Sequence, residues 1–300
     1  MSTVRTARTF PGSARPLPQL RPLTGWRIPG FARHLALGIP LVVLVAIVLG
    51  ALLAPFIAPY DPNALDMKAA LSGPSATHWF GTDQLGRDQF SRVLYGGRIT
   101  LLVAAAGVTG VIGIGVIVGS IAGYFGGRID AIISSLLNIL LALPSLLLTL
   151  AILGILGPGT KSLLIAIIGA GWVGHARIFR STILALRERP FIEAAVSAGA
   201  GSPHILLKHL WPNLMTQVVV LATLDAGALI LTVTSLSFLG LGVQPPTADW
   251  GTMLNDARPY VAQVPLLAIV PGACITIIAL TTNLIGDAVR DRVDTGRDRR

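Results

Sequence analysis

Six apolar stretches, at residues 35–58, 100–123, 131–156, 161–178, 214–239 and 264–286, alternate along the chain with polar connections. A helix crosses a bilayer with about 20 mostly apolar residues, so each stretch predicts a span with some tilt. The expected fold is all-α, a polytopic membrane protein with six transmembrane helices. The first stretch reads as a retained span rather than a signal peptide, because its apolar run is too long and the 34 residues ahead of it are too many. The pattern divides the chain into a basic tail at 1–34, a membrane domain at 35–290 and a second tail at 291–300. Within the membrane domain, the long connections are 59–99 and 179–213.

Charge predicts the sides. Arg5, Arg8, Arg15, Arg21, Arg27 and Arg33 precede the first stretch without one acidic residue, which places the N-terminus in the cytoplasm by the positive-inside rule. Six spans return the C-terminus to the same side, and its Arg290, Arg292, Arg297, Arg299 and Arg300 agree. So does the connection 179–213, with Arg180, Arg187, Arg189 and Lys208. The connection 59–99 balances four aspartates against four basic residues and is expected outside. Prolines 11, 16, 18, 22 and 29 among those first arginines leave too little apolar surface for an ordered unit, so a flexible tail is expected there.

Composition narrows the function classes. At 53% hydrophobic residues, 12% charged residues and a mean hydropathy of +0.72, the chain lies far from soluble proteins. Its lone cysteine, Cys274, excludes an intrachain disulfide framework. The net charge of +9 does not point to nucleic acid, since the arginines collect at the termini and beside apolar runs, where topology accounts for them. No internal repeat supports the inverted architecture of many secondary transporters.

Three features inside the spans bear on packing or passage. Gly115, Gly119 and Gly123 share one helical face and predict a close seam, within the bundle or against a partner subunit. Pro144 removes a backbone donor and predicts a kink that either widens a pathway or fits packing. Asp225 is the acid nearest the middle of a span; it belongs to a translocation path or is held by hydrogen bonds from neighbours such as Thr223 and Thr232.

Enzyme chemistry finds no candidate. GPGTKS at 157–162 lacks the lysine directly after glycine that a phosphate loop needs. No HExxH, GxSxG or DxDxDG pattern occurs, and His34, His78, His175, His204 and His209 show no ligand spacing. Ser202, the serine among glycines, has no base at a defined spacing. No catalytic or metal residue is assigned.

The connection 179–213 carries two short helical patterns separated by Gly199, Ala200, Gly201 and Ser202. Pro190 starts the first; Ser202 is expected to cap the second with Pro203 at its first position; Pro212 and Asn213 are expected to reset the chain before the fifth span. The segment reads either as a docking helix or as an elbow resting at the lipid interface.

Glu193, Ala194, Ala195, then Gly199, then nine residues and a stretch ending in Pro212 resemble the EAA loop of ABC importer permeases. The broad family has IxLP there, and this chain has His209, Leu210, Trp211 and Pro212 followed by Asn213. HWFGTDQLGRDQFSRVLYGGRITLL (78–102), GYFGGRIDAIISSLLNILLALPSLLL (123–148) and LSFLGLGVQPPTADWGTML (236–254) resemble the dipeptide, oligopeptide and nickel branch, over most of 35–290. GTDQLGRD, with Gly81, Thr82, Asp83, Gly86, Arg87 and Asp88, is similar to the C-type permease. Taken alone, Asp83, Arg87 and Asp88 either organise a turn or pair with a docking protein.

The resemblance implies a type I ABC importer permease fold in the cytoplasmic membrane. It implies a heterodimer with a B-type permease, two ATP-binding subunits that use ATP and Mg, and an extracytoplasmic solute-binding protein. This chain would bind no cofactor and hydrolyse nothing. Glu193, Ala194, Ala195, Gly199, Ala200, Gly201, Pro212 and Asn213 would couple to the ATPases, and peptides would be the substrate, with nickel complexes or glutathione-like solutes as the alternative. A secondary transporter or a membrane scaffold remains as a rival from another class.

Overall fold

The structure, a computed structural model, describes residues 30–297, with side chains from 38 to 292. Of the tails expected at 1–34 and 291–300, residues 1–29 and 298–300 fall outside those described, while 30–34 and 291–297 are helical. Each of the six apolar stretches is helical, and among the described residues the β-pairing is one isolated bridge, Thr82 to Asp88.

Helix α1 (Gly30–Leu52) and the short α2 (Ala54–Ile57) lead into an irregular segment that ends at α3 (Gln89–Phe125). Helices α4 (Gly127–Leu141) and α5 (Ser145–Leu156) form a broken pair, followed by α6 (Thr160–Arg187). The polar elbow holds α7 (Pro190–Ser197), α8 (Ser202–His204) and a π-helical turn at Ile205–Leu210, and it runs on into α9 (Trp211–Phe238). A short α10 (Trp250–Ala257) precedes α11 (Leu266–Arg297). Four rods are long and apolar enough to cross a membrane alone: α3, α6, the run Ser202–Phe238, and Leu266–Arg292. The α4–α5 pair makes a fifth if counted as one span, and α1 contributes a shorter apolar helix, Gly38–Leu52.

Two differences from expectation have local causes. Pro144 does more than kink its helix. Its φ of −56° and ψ of 128° lie outside the helical region, and α4 and α5 meet at 87°. Helix α3 begins eleven residues before the apolar stretch, because the Asp88 carboxylate caps it by accepting from the Ser91 N–H at 2.8 Å.

In lipid there is no hydrophobic gain in bringing apolar helices together, so close backbone packing must supply the contact. The glycine seam of α3 does this against α6 of the same chain. A Cβ on Gly115 would stand 2.7 Å from the His175 Cβ, one on Gly119 2.6 Å from the Ala176 carbonyl, and one on Gly123 2.8 Å from that of Arg180. Around this pair, Val103, Val111, Leu153, Ile167, Val233 and Leu236 join α3, α5, α6 and α9. A second cluster, with Val93, Ala104, Ile230, Trp250 and Ile278, ties α9, α10 and α11 to α3. The outer faces stay apolar and exposed, as at Val42 (68%), Ile132 (70%) and Ile155 (85%), which suits a lipid or subunit surround.

Replacing Gly119 by Leu is expected to destabilise the α3–α6 contact by about 1–3 kcal/mol, the usual cost of overpacking. Gly113→Leu, where a Cβ meets nothing within 4 Å, serves as the control. Thermal unfolding of the detergent-solubilised chain should separate the two; equal melting would remove the seam from the fold's supports.

Candidate functional site

The elbow begins where α6 ends at Arg187. Pro190 occupies the first turn of α7, with Arg189 at its N-cap in extended conformation, so the missing proline N–H costs nothing. Glu193 lies in that first turn, where its charge meets the positive end of the helix. The far end closes with a Schellman motif: the Ala200 N–H donates to the Ala195 carbonyl at 3.0 Å and the Gly199 N–H to that of Val196 at 2.9 Å. The motif needs a left-handed residue, and Gly199 supplies it with φ +80°.

One apolar peg fixes α7 to the bundle. Ile192 is buried (2%) among Ile112, Val116, Phe179, Ile183, Ile205, Leu210 and Leu214 from α3, α6 and the run into α9. Glu193, Ala194 and Gly199 face solvent, and Ala195 is half-exposed. Two open hollows flank the helix, one floored by Ala195, Gly199, Ala200, His204 and His209, the other by Tyr124, Arg187, Glu193 and Val196.

The second half of the elbow differs from expectation. Gly201, not Ser202, is the N-cap, Pro203 sits one position further in, and no side chain caps this end. Nor does Pro212 reset the chain: the helix runs unbroken from Ser202 to Phe238. A proline in an α-helix clashes with the carbonyl four residues back, and the wider π turn at Ile205–Leu210 relieves that crowding. The Asn213 side-chain amide donates to the His209 carbonyl at 2.7 Å, tying its own side chain back onto the π turn. Trp211, whose role the sequence left open, donates its indole N–H to the Ser120 hydroxyl on α3 at 3.2 Å.

At the other end of the bundle, residues 81–92 form a buried ionic cap. Gly81 and Gly86 both have positive φ, and a Cβ on Gly86 would stand 1.7 Å from the Asp66 carbonyl oxygen. Thr82 donates to the Ala69 carbonyl and accepts from the Ser72 N–H at 3.0 Å. Asp83 pairs with Arg87 at 2.6 Å and Arg92 at 3.4 Å, while both arginines reach Asp256 on α10, at 3.6 and 3.9 Å. Asp88 accepts from the Ser91 N–H and hydroxyl, both at 2.8 Å, and bonds His78 Nδ1 at 2.9 Å. Asp83, Arg87, Asp88 and Arg92 are each at least 96% buried, so these are internal pairs that organise the cap rather than surface pairs.

Sequence reasoning passed over Arg92, Asp249 and Asp256, because nothing local marks a pair more than a hundred residues apart. Burial pushes the Asp256 carboxyl up, with Arg92 and Arg87 pulling it back. Asp249, the N-cap of α10, is also pushed up by burial while the Thr100 hydroxyl donates to it at 2.6 Å. Beside it the Trp250 indole donates to the Val93 carbonyl at 2.9 Å. A Cβ on Gly97 would meet that ring at 2.7 Å, so Gly97 is what admits the indole.

Asp225 lies on α9 and bonds His175 Nε2 on α6; the other ring nitrogen bonds the Gly171 carbonyl at 3.1 Å. Thr223 and Thr232, the expected partners, instead donate to carbonyls of their own helix. The pair joins two spanning helices and remains partly open, with side-chain exposures of 16% for His175 and 28% for Asp225. The Pro144 break is exposed. Among the described residues no group of three or more His, Cys, Asp or Glu is gathered for a metal.

Residues 115–299 match the family described as binding-protein-dependent transport system inner membrane component, and residues 31–74 match the N-terminal transmembrane domain of oligopeptide transport permease C. The chain is 39% identical to a dipeptide transport system permease protein of Alkalihalophilus pseudofirmus, over 95% of this chain and 94% of the relative. It is 40% identical to a nickel transport system permease protein of Escherichia coli K12, over 85% and 92%. It is 42% identical to a glutathione transport system permease protein of Shigella sonnei, over 87% and 86%.

The ionic cap yields a stability test. Arg87→Ala removes the 2.6 Å partner of buried Asp83, leaving Arg92 as the cation for both Asp83 and Asp256, and is expected to cost about 1.5–3 kcal/mol. Glu193→Ala, on the solvent face of α7, is expected to stay within about 0.5 kcal/mol of wild type. Denaturation in detergent measures both, and a neutral Arg87→Ala would show that the cap does not hold the fold.

Proposed function

The chain belongs to the family of binding-protein-dependent transport system inner membrane components, and we propose that it is the C-type permease of an ATP-driven importer for dipeptides or oligopeptides. It is a multi-pass membrane transport subunit. Its partners in this reading are a B-type permease, which forms the other half of the pathway, two ATP-binding subunits that use ATP and Mg, and an extracytoplasmic solute-binding protein. The N- and C-termini and the elbow lie in the cytoplasm, and the ionic cap lies outside.

The observation that carries the reading is α7: a short, Schellman-closed helix, pegged to the core by Ile192, whose alanine and glycine surface is left open between two hollows. A smooth helix face beside open hollows suits docking in a groove of an ATPase subunit. Pushing α7 moves Ile192, and the cluster around Ile192 contains residues of α3, α6 and the run into α9. That is the connection a lever needs to bias a bundle between two discrete packings. Glu193, Ala194, Ala195, Gly199, Ala200 and Gly201 form the coupling surface; Pro212 and Asn213 shape the helix behind it. Asp225, held by His175 between two spans, is the group we assign to the pathway, and the Pro144 break is a second candidate element of its wall.

Peptides are the first choice of substrate because the dipeptide permease matches this chain over nearly its whole length. Nickel complexes or glutathione-like solutes are the second, since permeases of those systems match at similar identity.

Two experiments follow. Ala195→Trp and Gly199→Trp should abolish uptake and lower the ATPase activity recovered with the chain by affinity purification, while membrane insertion is unchanged. Normal uptake in those variants, or a chain that purifies without ATPase, would move the reading to a secondary transporter or scaffold. Asp225→Asn should reduce uptake at least about tenfold, a barrier change of about 1.4 kcal/mol, with the ATPases still bound; unchanged uptake would remove Asp225 from the pathway.

A further inference from the structure

Arg98 stands two residues ahead of the apolar stretch 100–123 and lines a cavity of about 280 Å³ between α1, α3, α9 and α11 that is apolar apart from Thr282, whose hydroxyl donates to its own helix. Leu44, Val48 and Leu52 of α1, Leu101 and Ala105 of α3, and Ile230 of α9 form most of its wall, and no acidic residue lines it. The Arg98 guanidinium makes no hydrogen bond or ion pair with any described residue. The other arginines of α3 and α6 differ: Arg92, Arg177, Arg180 and Arg187 each have partners in the chain.

The shape of the cavity adds to this. Its lining on α3 runs from Arg98 to Val108, roughly 15 Å at the helical rise. Leu52 and Arg98 stand at the end nearest the connection between α1 and α3, and Leu44 and Val108 at the other. Leu52 and Leu102 are about half exposed, at 51% and 53%, so the slot opens along the side of the chain rather than into its core.

An unpaired arginine at the edge of an apolar span draws in an anion, and guanidinium matches the oxygens of a phosphate with two parallel hydrogen bonds. The apolar walls exclude an extended peptide, whose backbone groups would go unsatisfied there. We propose that the slot binds an anionic glycerophospholipid, one acyl chain lying along α3 toward Val108 and the phosphate paired with Arg98. The site depends on residence in a bilayer and is independent of the importer reading.

The test places the full chain in phosphatidylcholine nanodiscs carrying a small fraction of photoreactive phosphatidylglycerol. Wild type should be labelled on the peptides covering 38–52 and 98–108. Arg98→Gln should lose roughly fivefold in labelling, the attraction of one cation to an anionic lipid, and Arg98→Lys should keep most of it. Ala105→Trp, an exposed position that fills the slot and leaves the charge, should lose labelling as well. Labelling at the wild-type level in Arg98→Gln and Ala105→Trp, or equal labelling by a photoreactive phosphatidylcholine, would overturn the site as an unspecific lipid shell. Crosslinking of Leu102 to a second permease, with loss of lipid label on assembly, would overturn it in favour of a protein partner.

Discussion

The backbones of α3 and α6 touch through Gly115, Gly119 and Gly123, and the other helices take their places around that contact. Lipid rewards no apolar helix for meeting another, so a bundle needs some pair that approaches closely enough for dispersion to count. Three positions without side chains give this chain such a pair, and α6 answers with Ala176, whose small side chain is fully buried. α4 and α5 then reach α6, α9 closes on α3, and α11 packs behind α9. The elbow inherits its position from the same seam, because Phe179 and Ile183, which flank Gly119 and Gly123, also wall in Ile192.

The two ends of the bundle handle polar residues in opposite ways. At the cap, four charged side chains from 83–92 are buried and matched, Asp83, Arg87 and Arg92 to one another and the two arginines to Asp256, Asp88 to His78 and Ser91, so little there is left to bind. At the elbow, Glu193, Arg187 and Arg189 remain exposed, and order comes from backbone bonds and one isoleucine. A rigid end and an adjustable end are what a molecule needs if force applied at one place is to change packing elsewhere. His175 and Asp225 lie between them, a polar contact across the two helices that the elbow joins.

Much of this was legible in the chain. The six helices follow from apolar run length, α7 from Pro190 and Gly199, and the seam from four-residue glycine spacing. Other features were not legible, for a physical reason in each case. The partner of Asp225 is fifty residues away on another helix, and only the packing of α6 on α9 brings His175 to it. Asp256 joins Arg87 and Arg92 only once α10 folds over the start of α3. Pro212 misled because its ordinary effect, stopping a helix, is absorbed by a widened turn that no local residue preference announces. Arg98 reads as one more topology charge until its lack of a partner is seen.

The π turn at Ile205–Leu210 has a consequence for how the chain tolerates change. It holds one more residue than the α-helical path would use, and each residue in a helix advances its face by about 100°. The phase between the start of this helix at Ser202–His204 and the Asp225 face of α9 is therefore stored in a single residue of this turn. Losing any one of the six would draw the turn into ordinary helix and swing the two faces apart, without altering the composition of either. Substitutions here are thus more forgiving than deletions, and the length of this short stretch carries information that its chemistry does not.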